Sequence, residues 1–249
     1  MIKYIFMCLL CIHIIGDFYV QREDMALKKE KQFKWTVYHA IIYAAIGIVL
    51  ILLVLPDVPW LYILIFAVSH ALIDMVKFGI CKYAKKDDER MRSKRNVFLI
   101  DQGIHLLVLI FLSYCMRNLD VGSICRTEIR EVFSAFGISE ILILTWGVKL
   151  LLIHKPANIL IANILGTYKP SEDQSIDGDK KAGRLIGTLE RIIMTIFLSI
   201  GQYSAVGLVL TAKSIARYDK ISKDQVFAEY YLLGTLLSSI VAIIVTAAF

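Results

Sequence analysis

The chain has 249 residues, 57% hydrophobic and 20% charged, with a mean hydropathy of +0.64. That balance excludes an ordinary water-soluble domain and fits a polytopic membrane protein. The formal charge of +6 does not point to nucleic acid. The basic residues lie in loops between apolar runs, where they suit the positive-inside rule and anionic lipid headgroups.

Seven apolar runs of about 20 residues, enough to cross a bilayer, are predicted at 3–20, 35–55, 59–80, 97–115, 138–154, 188–212 and 228–248. The expected fold is all-α, a transmembrane bundle of about seven spans. The first run carries His13 and Asp17 and lacks a small-residue cleavage site, so it reads as a retained helix rather than a signal peptide. Cys8, Cys11, Cys81, Cys115 and Cys125 are odd in number and scattered, which gives no disulfide framework. Three divisions are expected: 1–116 as a four-helix metal-binding membrane domain, 117–137 as an extramembrane connector, and 138–249 as a C-terminal helical membrane domain. Residues 121–136 can form a short amphipathic surface helix.

Loop charge sets the orientation. Arg22, Lys28, Lys29, Lys31 and Lys34 follow span one, and Lys82, Lys85, Lys86, Arg90, Arg92, Lys94 and Arg95 follow span three. The loop after span two has no Lys or Arg. The basic loops should face the cytoplasm, so span one starts outside. Seven strictly alternating spans would then leave Lys213, Arg217, Lys220 and Lys223 outside, against the same rule. Either a span is miscounted, or 156–165 is re-entrant, or the first half dominates the orientation.

Polar residues in the first four spans follow a pattern. His13/Asp17, His70/Asp74 and Asp101/His105 are each four residues apart, so each pair shares a helix face. The order is His then Asp in the two spans running toward the cytoplasm, and Asp then His in span four, which runs back. Reversal with chain direction puts Asp17, Asp74 and Asp101 at one level. His13, His70 and His105 then lie about one turn, ~5.4 Å, deeper, and His39 of span two joins that layer. Ionisable groups at membrane depth are costly and mark functional sites. Neutral imidazole and carboxylate together suit a divalent metal, zinc first and manganese or iron next, as one or two ions. Hydrogen bonding between helices would explain one such pair more readily than three. The fifth histidine, His154, reads as interfacial.

Lys77 lies three residues beyond Asp74 and is placed to meet a phosphate or developing negative charge. Gln21 and Gln102 flank the same layer as substrate contacts. Gly16 and Gly103, beside ligand positions, would allow close helix approach. In the second half, Gly183/Gly187 and Gly234/Ser238 are small-residue packing pairs, while Arg184 and Arg191 could read a phosphate or carboxylate. A straight span six would hold Arg191 and Lys213 at opposite ends unless it breaks, for example at Gly201. The acidic stretch 170–181 reads as a solvated loop, not a calcium loop, because the closing glutamate is absent.

The motifs His13 to Gln21 (H-x-x-x-D-F-x-x-Q), His70 to Lys77 (H-A-x-I-D-x-x-K) and Asp101 to His105 (D-Q-x-x-H) resemble an uncharacterised bacterial membrane family of the DUF3307 type. They are more loosely similar to LexA-regulated inner-membrane proteins assigned as metal-dependent hydrolases. The resemblance covers about the first 115 residues. It implies a multi-pass protein of the bacterial inner membrane. Residues and resemblance together lead to a metal-dependent hydrolase at the cytoplasmic face, acting on a phosphoester of a lipid or lipid-linked compound. Asp17, Asp74, Asp101 and Lys77 would be its catalytic residues, and membrane lipids its surroundings. A metal-ion or proton-coupled transporter and a non-catalytic scaffold with a structural metal are the alternatives. The plain apolar outer halves of spans two and four disfavour transport, which needs polar lining across the whole depth.

Overall fold

The computed structural model describes residues 2–83, 94–119, 127–166, 168 and 177–249. The basic positions Lys85, Lys86, Arg90 and Arg92, together with Cys125 and the stretch 171–176, lie outside them. All regular structure among the described residues is helical. The elements are α1 (Ile2–Ile14), continuing as a π-helical segment (Ile15–Val20), α2 (Glu23–Lys31), α3 (Phe33–Val54), α4 (Trp60–Tyr83) and α5 (Lys94–Cys115) with a 3₁₀ turn (Met116–Asn118). They continue with α6 (Thr127–Ala135), α7 (Glu140–Ile153), α8 (Lys155–Leu165), α9 (Asp177–Ser199), α10 (Tyr203–Ala216), α11 (Tyr218–Lys223) and α12 (Gln225–Ala248). Helix α6 carries the amphipathic segment expected at 121–136, over the part of it that is described.

Among the described residues, six stretches are long and apolar enough to cross a membrane: Ile2–Val20, Phe33–Val54, Trp60–Lys82, Arg95–Asn118, Glu140–Leu165 and Gln225–Ala248. The chain divides into two compact units, Met1–Val148 and Lys149–Phe249, with the boundary inside α7.

In the first unit α1 packs on α3 and α5, and α4 packs on the same two helices. The four helices therefore form a ring. The first span has 56% of its residues buried, against 22% for α3, so it is the most enclosed member. Buried Ile5 and Leu9 of α1 and Leu112 of α5 lie beyond His13 and His105, on the side away from Asp17 and Asp101. Outward-facing Ile41, Val49, Leu72, Leu107 and Phe111 are exposed, as lipid-facing positions should be. The short charged helix α2, with its lysines in the last turn, lies against α3 and α4, between extended backbone at Arg22 and Gln32.

The second unit differs from simple apolar spans in two places. The run expected at 188–212 is two helices rather than one. Helix α9 starts as early as Asp177, inside the stretch expected to be a loop, and stops at Ser199. Gly201 then takes φ 73°, a left-handed conformation that favours glycine, and α10 packs back against α9. The fold-back brings Lys213 Nζ within 2.6 Å of Glu190 Oε2, beside Arg191, where a straight helix would have held them apart.

The second break is at His154 (φ −88°, ψ −101°). Pro156 has no N–H to continue the helical ladder. Arg191 covers the break from α9. It is 2% exposed, and its Nε donates to Ile153 O at 2.7 Å. Its Nη2 donates to Asn158 Oδ1 at 2.6 Å and Thr188 Oγ1 at 3.3 Å, and Nη1 to Ser238 Oγ at 3.3 Å. Ser238 of the small-residue pair on α12 is thus buried, whereas nothing approaches Gly183. Helix α12 begins at Asp224, whose side chain accepts the Phe227 N–H at 2.9 Å, a standard N-cap.

Two outcomes follow. Strict alternation of the six membrane-length stretches predicts residues 213–223 and 22–34 on one side of the membrane, which would remove the charge conflict. Reporter fusions at Lys31 and Lys220 should both read cytoplasmic. Arg191→Lys cannot supply the guanidinium fork. It should lower stability by about 3 kcal/mol, seen as an earlier thermal transition of the detergent-purified protein.

Candidate metal centre

The ring of α1, α3, α4 and α5 closes around its polar residues. His13, His39, His70, Asp74, Asp101 and His105 are all buried, and the Asp17 side chain is 9% exposed. The alternation of order read from the sequence does place like with like. His105 of α5 lies 5.0 Å from His13 and 4.5 Å from His70, ring centre to ring centre. Asp101 and Asp17 share the Gln102 amide, whose Nε2 donates at 3.2 Å and 3.5 Å.

Asp17 lies in the π-helical segment. Such segments insert a wider turn and are frequent at functional sites; this one closes with the Gln21 N–H on Gly16 O at 3.2 Å. Asp17 Oδ2 stays 3.9 Å from His13 Nε2, while Oδ1 faces across the ring to His39 and His70.

That crossing is the tightest part of the site. His39 Nε2 is 3.2 Å from His70 Nε2. Asp17 Oδ1 is 3.1 Å from the first and 3.3 Å from the second. Asp74 Oδ2 is 3.6 Å and 3.4 Å from the same two atoms. Two triangles of ligand atoms thus share the His39–His70 edge. An ion bonded at about 2.0–2.1 Å in tetrahedral geometry needs ligand atoms about 3.3 Å apart. Protons satisfy this arrangement poorly, because a neutral imidazole has a single N–H and here two Nε2 atoms face each other and two carboxylates. Groups His13/Asp17/His70, His39/His70/Asp74 and Asp74/Asp101/His105 each place three ligand atoms within 4.8 Å of one another. These clusters could hold a metal ion.

Two residues that the sequence reading passed over complete the site. Tyr43, four residues beyond His39 and so on its face, stacks on the His70 ring at 3.4 Å with an interplanar angle of 3°. Its hydroxyl is 3.2 Å from His13 Nδ1. The Nδ1 atoms of His39 and His70 have no hydrogen-bond partner, so packing, chiefly that of Tyr43, orients the His70 ring. The spacing of four was the available signal. Lys29 of α2 gave none, being one lysine among several in a basic loop. Its Nζ reaches Asp74 Oδ2 at 2.5 Å and Gln21 Oε1 at 3.3 Å.

Lys77 meets Asp101 Oδ2 at 2.8 Å, so both inner lysines neutralise carboxylates of the centre. Gln21 and Gln102 border the layer as expected, whereas Arg184 and Arg191 belong to the second unit. Of the two glycines expected to permit close approach, Gly16 does so. A Cβ there would fall 2.5 Å from Tyr43 Cδ2. Gly103 has open space and makes no such contact. His154 is exposed at the break between α7 and α8 and joins no cluster.

The family model described as "Protein of unknown function (DUF3307)" matches residues 5–130, a stretch that contains all seven His and Asp residues of the centre. No curated protein and no solved structure matches the chain, so no activity comes to it from a relative.

Gly16→Ala should push Tyr43 off both histidines. We expect a loss of about 1–3 kcal/mol from overpacking and weaker metal retention. The double change Gly16→Ala/Tyr43→Ala should recover part of the stability but not the retention. Thermal unfolding and metal analysis of the two variants measure this.

Proposed function

The chain belongs to the DUF3307 family, and we propose that it is a membrane-embedded, metal-dependent hydrolase acting on a phosphoester of a lipid or lipid-linked compound. The observation that carries this is the pair of triangles formed by His39, His70, Asp17 and Asp74, with sides of 3.1–3.6 Å, the spacing a zinc-sized ion requires. His39 and His70 would bind through Nε2, Asp17 through Oδ1 and Asp74 through Oδ2. A bound ion would supply a water whose pKa falls to about 7.

The chain's own groups then have distinct work. Asp17 Oδ2 is the carboxylate oxygen turned away from the His39–His70 edge, and it is the group placed to take the proton from the attacking water. Lys29 and Lys77 bring two positive charges to the mouth, where a phosphoryl group gains negative charge in the transition state. Gln21 accepts from Lys29, and Gln102 donates to Asp101 and Asp17. Carboxylates and lysines lie toward the end of the ring from which α2 and the basic loop emerge. The positive-inside rule makes that end cytoplasmic in a bacterial inner membrane, at headgroup depth. Transport is the weaker reading, since buried Ile5, Leu9 and Leu112 make much of the opposite end apolar.

Elemental mass spectrometry of the detergent-purified protein, beside His70→Ala/Asp74→Ala, is the first test. We expect zinc, manganese or iron in the parent and loss of metal in the variant. Release of phosphate from phospholipid and prenyl-phosphate substrates should fall at least 10³-fold with it. A variant that keeps full hydrolytic activity would overturn the proposal, as would metal-free parent protein that hydrolyses equally well.

A further inference from the structure

The three overlapping triads share two residues, His70 between the first and second, and Asp74 between the second and third. The sharing is not equivalent. An imidazole nitrogen offers one lone pair, and His70 engages Asp17 and Asp74 through the same Nε2. The first two triads therefore describe one ion position. A carboxylate has two oxygens and can join two ions. Asp74 turns Oδ2 to the His39–His70 edge, where it also accepts from Lys29 Nζ, and the same residue groups with Asp101 and His105.

The third triad also has polar atoms with no hydrogen-bond partner among the described residues. His105 is 2% exposed, and neither its Nδ1 nor its Nε2 has a hydrogen-bond partner. Asp101 has Lys77 and Gln102 on Oδ2, yet Oδ1 is buried and unpartnered. A histidine held between His13 and His70 with both nitrogens idle is a costly arrangement in a membrane interior. It is a natural one for a ligand.

Charge balance agrees. Asp17, Asp74 and Asp101 face Lys29 and Lys77, which leaves one negative charge. One divalent ion makes the centre weakly positive, and a second makes it strongly so, suited to a phosphate dianion together with hydroxide.

We propose that the centre is dinuclear, with a second divalent ion held by Asp101 and His105 and joined to the first through the Asp74 carboxylate. This rests on the metal reading of the His39–His70 edge and deepens it. Carboxylate–histidine pairs of this kind are built in helix-bundle cores. In hydrolytic centres two ions about 3.5–4 Å apart stabilise the attacking and leaving oxygens of an in-line displacement. Phosphoester hydrolysis is one of the reactions that uses both.

The test uses the full chain in detergent, stripped with EDTA and titrated with Mn²⁺. Bound metal is counted, and the electron paramagnetic resonance signal is recorded. Two Mn²⁺ per chain with an exchange-coupled spectrum are expected. His105→Ala and Asp101→Asn should each bind one, with the six-line signal of an isolated ion. A single uncoupled ion in the parent, unchanged in His105→Ala, would overturn the second site and leave the first standing. A parent that binds no metal of any kind would overturn both. The parent spectrum decides the matter even if a variant fails to fold.

Discussion

Three carboxylates enclosed by four apolar helices are the constraint around which the first unit is arranged. Each carries a charge that lipid cannot solvate, and isolated ionised groups at such depth are very costly. The protein answers with imidazoles on facing helices and with two lysines whose ammonium groups reach Asp74 and Asp101. The need to bring these groups together explains several features that are otherwise unrelated. The π-helical turn aims Asp17 across the ring. Gly16 lets Tyr43 close on α1, and α2 folds back far enough for Lys29 to reach inward.

The second unit handles buried charge in another way. Arg191 meets four neutral oxygens from Ile153, Asn158, Thr188 and Ser238. The guanidinium sits over the end of α7, where the carbonyl dipoles point outward and favour a cation. Its planar fork ties α8, α9 and α12 at one point, which a lysine could not do. Here a charge fastens a helix break. In the first unit, charges gather around ligand atoms that protons alone leave unsatisfied.

Much of the centre was legible in advance because helices impose a simple rule. A spacing of four puts two side chains on one face, and reversing the order His–Asp to Asp–His restores the same level in an antiparallel helix. His13, Asp17, His70, Asp74, Asp101 and His105 follow from that rule. Tyr43 obeys it too, but an aromatic residue in an apolar helix resembles ordinary core. Lys29 could not be found from spacing, since its contact with Asp74 spans 45 residues of chain and depends on the path of α2.

The amino-acid sequence by itself determined the membrane-length helices of the first unit, the shared helix faces of the His/Asp pairs and the residue types that compose them, because hydropathy and helical periodicity are local properties. Tertiary structure alone decided which nitrogen faces which oxygen, that His39 and His70 share an edge, and that His105 is left with idle nitrogens. It also decided the division of the sixth apolar run. Gly201 permits a fold-back in any such sequence, but the Lys213–Glu190 pair and the packing of α10 on α9 form only when the helix does turn. Contacts between residues far apart in the chain depend on relative placement of helices, and no periodicity encodes that.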